Sequence, residues 1–154
     1  MITASTAGFT HNRPLRKNNG NNKDLNFEGM HINNTPLLKY APVSGDSAYM
    51  MFFFTYGCNH CLNSLENIRQ YTASNYIQNI ILIGTGDTVE RDQLYTNFDL
   101  RYNRFDISRT EMHTITRQFP VSYFVVNDTI RRRWKGMLPV HQILRKNHFL
   151  NINQ

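Results

Sequence analysis

The period of apolar positions changes along the chain, and each change marks an element. The clearest block is Tyr49 to Gln70, YMMFFFTYGCNHCLNSLENIRQ. Met50 to Phe54 is unbroken apolar, the length of a buried central strand. Gly57 interrupts the run and predicts a sharp turn. From Cys61 the apolar positions fall at spacings of three and four, through Leu65 and Ile68 to Thr72, with Leu62 beside them. Asn63, Glu66, Asn67 and Arg69 fill the opposite face, so the block ends in an amphipathic helix.

The same reading extends in both directions. Leu25 to Ile32, with Glu28-Gly29 at its middle, predicts a short hairpin or irregular edge. Thr35 to Val43 carries two prolines and reads as extended connection, and Ser44 to Ser47 as a turn. Asn79 to Gly84, NIILIG, is a second continuous apolar run, so strand, helix and strand form a parallel βαβ unit. Asp87 and Glu90 have capping-box spacing and open a helix whose inward face is Leu94 and Phe98. Tyr102 to Ile107 predicts a short strand. Ser108 and Glu111 open a further helix, with Met112, Ile115 and Phe119 on one face, stopping at Pro120. Val121 to Val126, the Asn127-Asp128 turn and Thr129 to Lys135 read as an antiparallel hairpin. Pro139 starts a last helix, with Val140, Ile143 and Leu144 inward. Strands alternating with helices make this an α/β chain.

Composition adds limits. The 154 residues, 40% hydrophobic and 18% charged, suit one soluble domain with a sizeable core. Residues 1–24 differ, being rich in Asn, Gly, Thr and basic residues without a period. They read as a disordered or loosely attached basic arm, leaving 25–154 as the folded domain. No stretch approaches the about 18 apolar residues of a membrane span, and no signal-peptide core stands at the start. The net charge of +6 raises nucleic acid as a partner. Arg131 to Lys135 lies on a strand, however, where alternate side chains point to opposite faces, so it reads as a charge-protected edge.

The candidate chemistry lies in the two cysteines. Cys58 and Cys61 are the only ones, with two residues between them, at the start of a helix. Unpaired amides and the helix dipole favour a thiolate there, and the thiolate is the nucleophilic form. A zinc site wants four ligands, and no second ligand pair accompanies Cys58, His60 and Cys61, so no metal is expected. Gly84-Thr85-Gly86 follows a strand but lacks the third glycine of a dinucleotide fingerprint.

A C-x-x-C after the first central strand of a βαβ unit, with Pro120 just before a terminal hairpin, resembles the thioredoxin superfamily. The resemblance spans about Leu25 to Leu150. The extra helix after Asp87 and the stretch FDISRTEMHTITRQFPVSYFVVNDTIRRRWKG are most similar to the TlpA/ResA-like thiol-disulfide oxidoreductases. The resemblance implies a three-layer fold, with a central mixed β-sheet and helices on both faces. It implies that Cys58 and Cys61 are the catalytic pair and that no cofactor is needed beyond their disulfide. It further implies a cis Phe119–Pro120 bond facing that disulfide, with Tyr56, Gly57, Phe119 and Pro120 forming the surface that holds a substrate peptide. The partners would be protein thiols or disulfides and a redox partner protein, met by a monomer in an extracytoplasmic compartment. A cytoplasmic location would instead strengthen the reductase reading.

In this scheme Cys58 attacks a substrate disulfide and Cys61 resolves the mixed disulfide. Asn59 and His60 tune the thiolate. His60 is of the kind found in protein disulfide isomerases and DsbA-type oxidases, which leans toward an oxidant, whereas the TlpA/ResA resemblance implies a reductant of exported proteins. Two departures stand out. Gly57 replaces the usual aromatic before the first cysteine, and Phe52 stands where thioredoxins carry a buried acid. The proton acceptor for Cys61 is therefore unassigned, and Glu66 lies on the wrong face for it. The competing reading is a peptide-binding or chaperone-like module without turnover, which would need neither cysteine.

Overall fold

The computed structural model describes residues 25–43, 48–74, 77, 79–98, 102–140 and 143. The arm at 1–24, the turn at 44–47 and Leu144 of the last expected helix lie outside them. Five strands form one sheet: β1 (Ala48–Thr55), β2 (Ile80–Thr85), β3 (Asn103–Asp106), β4 (Val121–Val126) and β5 (Thr129–Lys135). Their order is β3-β2-β1-β4-β5. β1, β2 and β3 run parallel, and β4 and β5 join antiparallel. The helices are α1 (Asn59–Ala73), α2 (Thr88–Asn97) and the single turn α3 (Arg109–Met112).

Successive residues of β1 supply two different cores. Met50, Phe52 and Phe54 pack with Cys61, Leu65 and Ile68 of α1, Leu94 of α2 and Phe124 of β4. Met51 and Phe53 face the other way, onto Ile81, Ile83, Tyr123, Met112 and Ile115. A strand buried on both faces has no polar alternation, which is why this run is continuous. The sheet is thus mixed and covered on both sides.

Several expectations are corrected. Thr35 to Val43 is not extended: Pro36–Tyr40 forms a 3-10 helix that buries Leu37 and Tyr40 in the second core. Thr35 caps it by accepting from the Leu37 amide, and Pro36 fits the first helical position. The helix opened by Ser108 ends at Met112 instead of reaching Phe119. Thr116 bonds its hydroxyl to both the carbonyl and the amide of Gln118, a local alternative to the helical ladder. Phe98 is the C-cap of α2 and only half-buried. Val140 and Ile143 are exposed, whereas Leu138 is fully buried in the core.

The segment before the first 3-10 turn (Ile32–Asn34) runs along the edge strand β5. The Gly29 amide donates to the Ile130 carbonyl at 2.8 Å, and the Ile130 amide to the Met30 carbonyl at 2.9 Å. The Arg133 amide donates to the Glu28 carboxylate at 2.8 Å. The irregular-edge reading of Leu25 to Ile32 therefore fits, with Gly29 at φ +88° making the turn.

Candidate functional site

β1 delivers the chain to the site. Its last residue, Thr55, still pairs with Thr85 of β2. Tyr56 and Gly57 turn the chain, and the Cys58 amide donates back to the Thr55 carbonyl at 3.3 Å. Cys58 is the N-cap of α1: its backbone is extended and its Sγ accepts the Cys61 amide at 3.3 Å. A thiol thus occupies the place that Ser or Asp usually takes at a helix start. Cys58 is half-buried, whereas Cys61 is fully enclosed one turn behind. Burial pushes the Cys61 thiol well above the ordinary thiol range, and a hydrogen bond with Cys58 adds to this. Thr55, through its backbone and its hydroxyl, is the group that opposes the shift.

The residues around the pair divide sharply. Asn59 and His60 are exposed on the first turn of α1, and no hydrogen bond joins the His60 imidazole to Cys58. Tyr56 does not lie on the surface: it is 4% exposed, and its hydroxyl donates to the Asp106 carboxylate on β3. Arg91 reaches the other oxygen of Asp106 at 3.5 Å. The Tyr56 ring lies against Gly84, where an added Cβ would fall 2.4 Å from ring carbon Cε1. Burial and the Asp106 contact hold the Tyr56 phenol neutral. Gly57 is exposed and has no left-handed backbone, so its turn does not demand glycine. A Cβ there would instead stand 2.7 Å from the Glu90 carboxylate. The Phe119–Pro120 bond is cis. Because Phe53 pairs with Val121, these two residues lie at the end of the sheet from which β1 leads to Cys58. Phe119 packs on the margins of both cores.

No protein-family model matches the sequence, and a search of the curated proteins gives no match. Solved structures do match. A secreted Mycobacterium tuberculosis disulfide oxidoreductase homologous to E. coli DsbE superposes with a TM-score of 0.57 at 14% identity. That match covers 68% of this chain and 82% of the other. StoA from Bacillus subtilis gives 0.56 at 13% identity, covering 69% and 85%. A thiol:disulfide interchange protein from Bacteroides sp. gives 0.52 at 13%, covering 70% and 74%. The chain has the thioredoxin fold. The matched structures include a disulfide oxidoreductase and a thiol:disulfide interchange protein, and at these identities the likeness is one of fold.

Within this thioredoxin fold, the surroundings of Cys61 are set by hydrocarbon and one polar group. Phe52 is buried against Phe54, ring centroids 5.2 Å apart, so the usual acid's place is filled by hydrocarbon. Thr55 is instead the polar group that meets Cys61, and a lone threonine at a strand end gives no pattern to find. The Asp87 and Glu90 spacing predicts a capping box, yet the Asp87 carboxylate alone takes the Val89 and Glu90 amides, at 2.8 and 3.2 Å. Among the described residues, no group of three or more His, Cys, Asp or Glu is placed to hold a metal, and no helix is long and apolar enough to cross a membrane.

Proposed function

We propose that this chain is a thiol-disulfide oxidoreductase acting on proteins, working as a reductant through Cys58 and Cys61. One observation carries the reading: a half-buried cysteine caps a helix of fifteen residues, and a fully buried cysteine stands one turn behind it with its amide on the first sulfur. The Cys58 thiolate attacks one sulfur of a substrate disulfide. A Cys58–substrate bond forms, the substrate S–S bond breaks, and the leaving thiolate takes a proton. Cys61 then loses its proton, attacks the Cys58 sulfur and expels the second substrate thiol. The dithiol is oxidised by two electrons and the substrate disulfide is reduced. A thiol-containing redox partner must then return both electrons.

Burial holds the Cys61 thiol well above the ordinary thiol range, so the resolving step must include its deprotonation. Thr55 is the donor placed to stabilise its thiolate. The reducing direction is taken from the TlpA/ResA-like resemblance, which implies a reductant. Gly57, Phe119 and Pro120 supply the substrate surface, and Tyr56 supports it from beneath. Asn59 and His60 remain solvent-facing neighbours of the thiolate. We place the activity in an extracytoplasmic compartment, since a matched neighbour is described as secreted. The domain is taken as 25–154, with 1–24 as an arm, acting as a monomer on protein partners without a cofactor.

The test has two parts. A Cys61→Ser variant under oxidising conditions should trap disulfide-linked proteins through Cys58, and the Cys58→Ser,Cys61→Ser double variant should trap none. Equilibration with dithiothreitol buffers should give a potential near about −270 mV rather than about −120 mV. If no Cys58–Cys61 disulfide forms and nothing is trapped, the chain is a binding module and the oxidoreductase reading falls.

A further inference from the structure

A cavity of about 240 Å³ opens beside Cys58, between the start of α1 and α2. By volume it would hold roughly eight waters, enough for one long side chain. Leu62, Leu94 and Phe98 give it an apolar floor. Gln93 supplies an amide at its rim. Its mouth is formed by Gly57, the residue next to Cys58, and by Glu90. Glu90 is exposed, and among the described residues its carboxylate has neither an ion pair nor a hydrogen-bond donor. It leans over Gly57, whose missing side chain leaves the room.

An apolar floor under an unpaired carboxylate has a complementary shape in chemistry: an aliphatic stem ending in a cation. We propose that this cavity is a specificity subsite for a lysine or arginine of the substrate polypeptide, close in sequence to the cysteine that Cys58 attacks. The inference rests on the oxidoreductase reading and adds to it which substrates are preferred. The stem lies on Leu62, Leu94 and Phe98, and the cation meets Glu90. Since Gly57 lines the cavity, the occupant sits within about two residues of the attacked cysteine, a reach of roughly 7 Å along an extended chain. The chain as a whole carries +6, which repels cationic peptides at long range. A preference for them must therefore arise locally.

The experiment is a single-turnover reduction of symmetrical peptide disulfides by the reduced full chain, read by thiol trapping and mass. Three peptides differ only beside the cysteine: lysine, glutamate, or the short-stemmed cation 2,3-diaminopropionate. Bis(2-hydroxyethyl) disulfide, small and neutral, reports the dithiol chemistry by itself. If the wild type does not reduce that compound, the oxidoreductase reading fails, independently of the subsite. Given that reduction, the lysine peptide should react about five-fold or more faster than the glutamate peptide, the size of one charge contact. It should also outpace the short-stemmed peptide. Glu90→Gln should bring the lysine-to-glutamate ratio toward one, and Glu90→Lys should invert it. A wild-type ratio near one overturns the subsite, as does a ratio that Glu90→Gln leaves intact. Equal rates for the long and short cations also overturn it, since charge steering without the cavity would then suffice.

Discussion

Cys61 and Tyr56 show how single groups set this site. The Cys61 thiol is raised far above its value in an unfolded chain by burial. Below about pH 8.5 the thiol is protonated in both states and the contribution to stability is complete. As pH rises further, the unfolded chain releases this proton while the folded one keeps it, so stability falls. Urea unfolding of the reduced protein between about pH 8.5 and 10 should therefore show a decline of up to about 1.4 kcal/mol per pH unit from this group. Cys61→Ala should flatten the slope; an identical slope in both proteins would sink the assignment. Tyr56 and Gly84 are a matched pair, because the ring fills the place of an absent side chain. Gly84→Ala should cost about 1–3 kcal/mol by overpacking. In a Tyr56→Leu background the cost should shrink by more than about 0.5 kcal/mol. Strictly additive losses in denaturant titrations would show that the two do not meet.

At the scale of elements, α1 is held by polar side chains as much as by its apolar stripe. The Ser64 hydroxyl donates to the His60 carbonyl at 2.8 Å and accepts the Leu138 amide at 2.9 Å. Asn67 donates to the Leu138 carbonyl at 2.7 Å, and the Tyr71 hydroxyl to that of Pro139. Three positions at helical spacing thus strap the chain after β5 onto the helix that carries both cysteines. Ser64→Ala leaves the buried Leu138 amide without its acceptor and should cost about 1–3 kcal/mol in urea unfolding. A loss below about 0.5 kcal/mol would mean that the strap contributes nothing. This clamp also marks where the sequence was and was not legible. Cys61, Leu65 and Ile68 announced the buried stripe by period alone. Asn67 reads as a surface residue and Ser64 stands in no pattern, because their partners lie 71 and 74 positions away. β1, β2 and β4 were readable since burial on both faces leaves a continuous apolar run. The 3-10 helix Pro36–Tyr40 was not, since two buried residues three apart make too short a signal against two nearby prolines. Cys58 and Cys61 were plain from spacing, whereas Tyr56 was misplaced because one aromatic beside a turn does not reveal which way it points.

For the whole molecule, the segment ahead of β1 is part of the folded body. Ile32, Leu37 and Tyr40 are buried in the second core, and Leu37 is fully enclosed. Leu37→Ala should cost about 2–5 kcal/mol, a core-sized loss from a stretch that composition marks as connection. A chain truncated before residue 44 should lose that core's cover and bare the β5 edge, giving dye-binding apolar surface and self-association by light scattering. A truncated chain that stays monomeric and as stable as the parent would show that the segment is dispensable. The contact between Glu28 and Arg133 joins residues 105 positions apart. During synthesis the early segment leaves the ribosome long before the hairpin it will cover. Loops of this length close late, so the nascent chain waits with Glu28 to His31 unpaired until β5 emerges. The two cysteines, already emerged with β1 and α1, spend that interval in an unfinished body, open to chance pairing with any other thiol in reach.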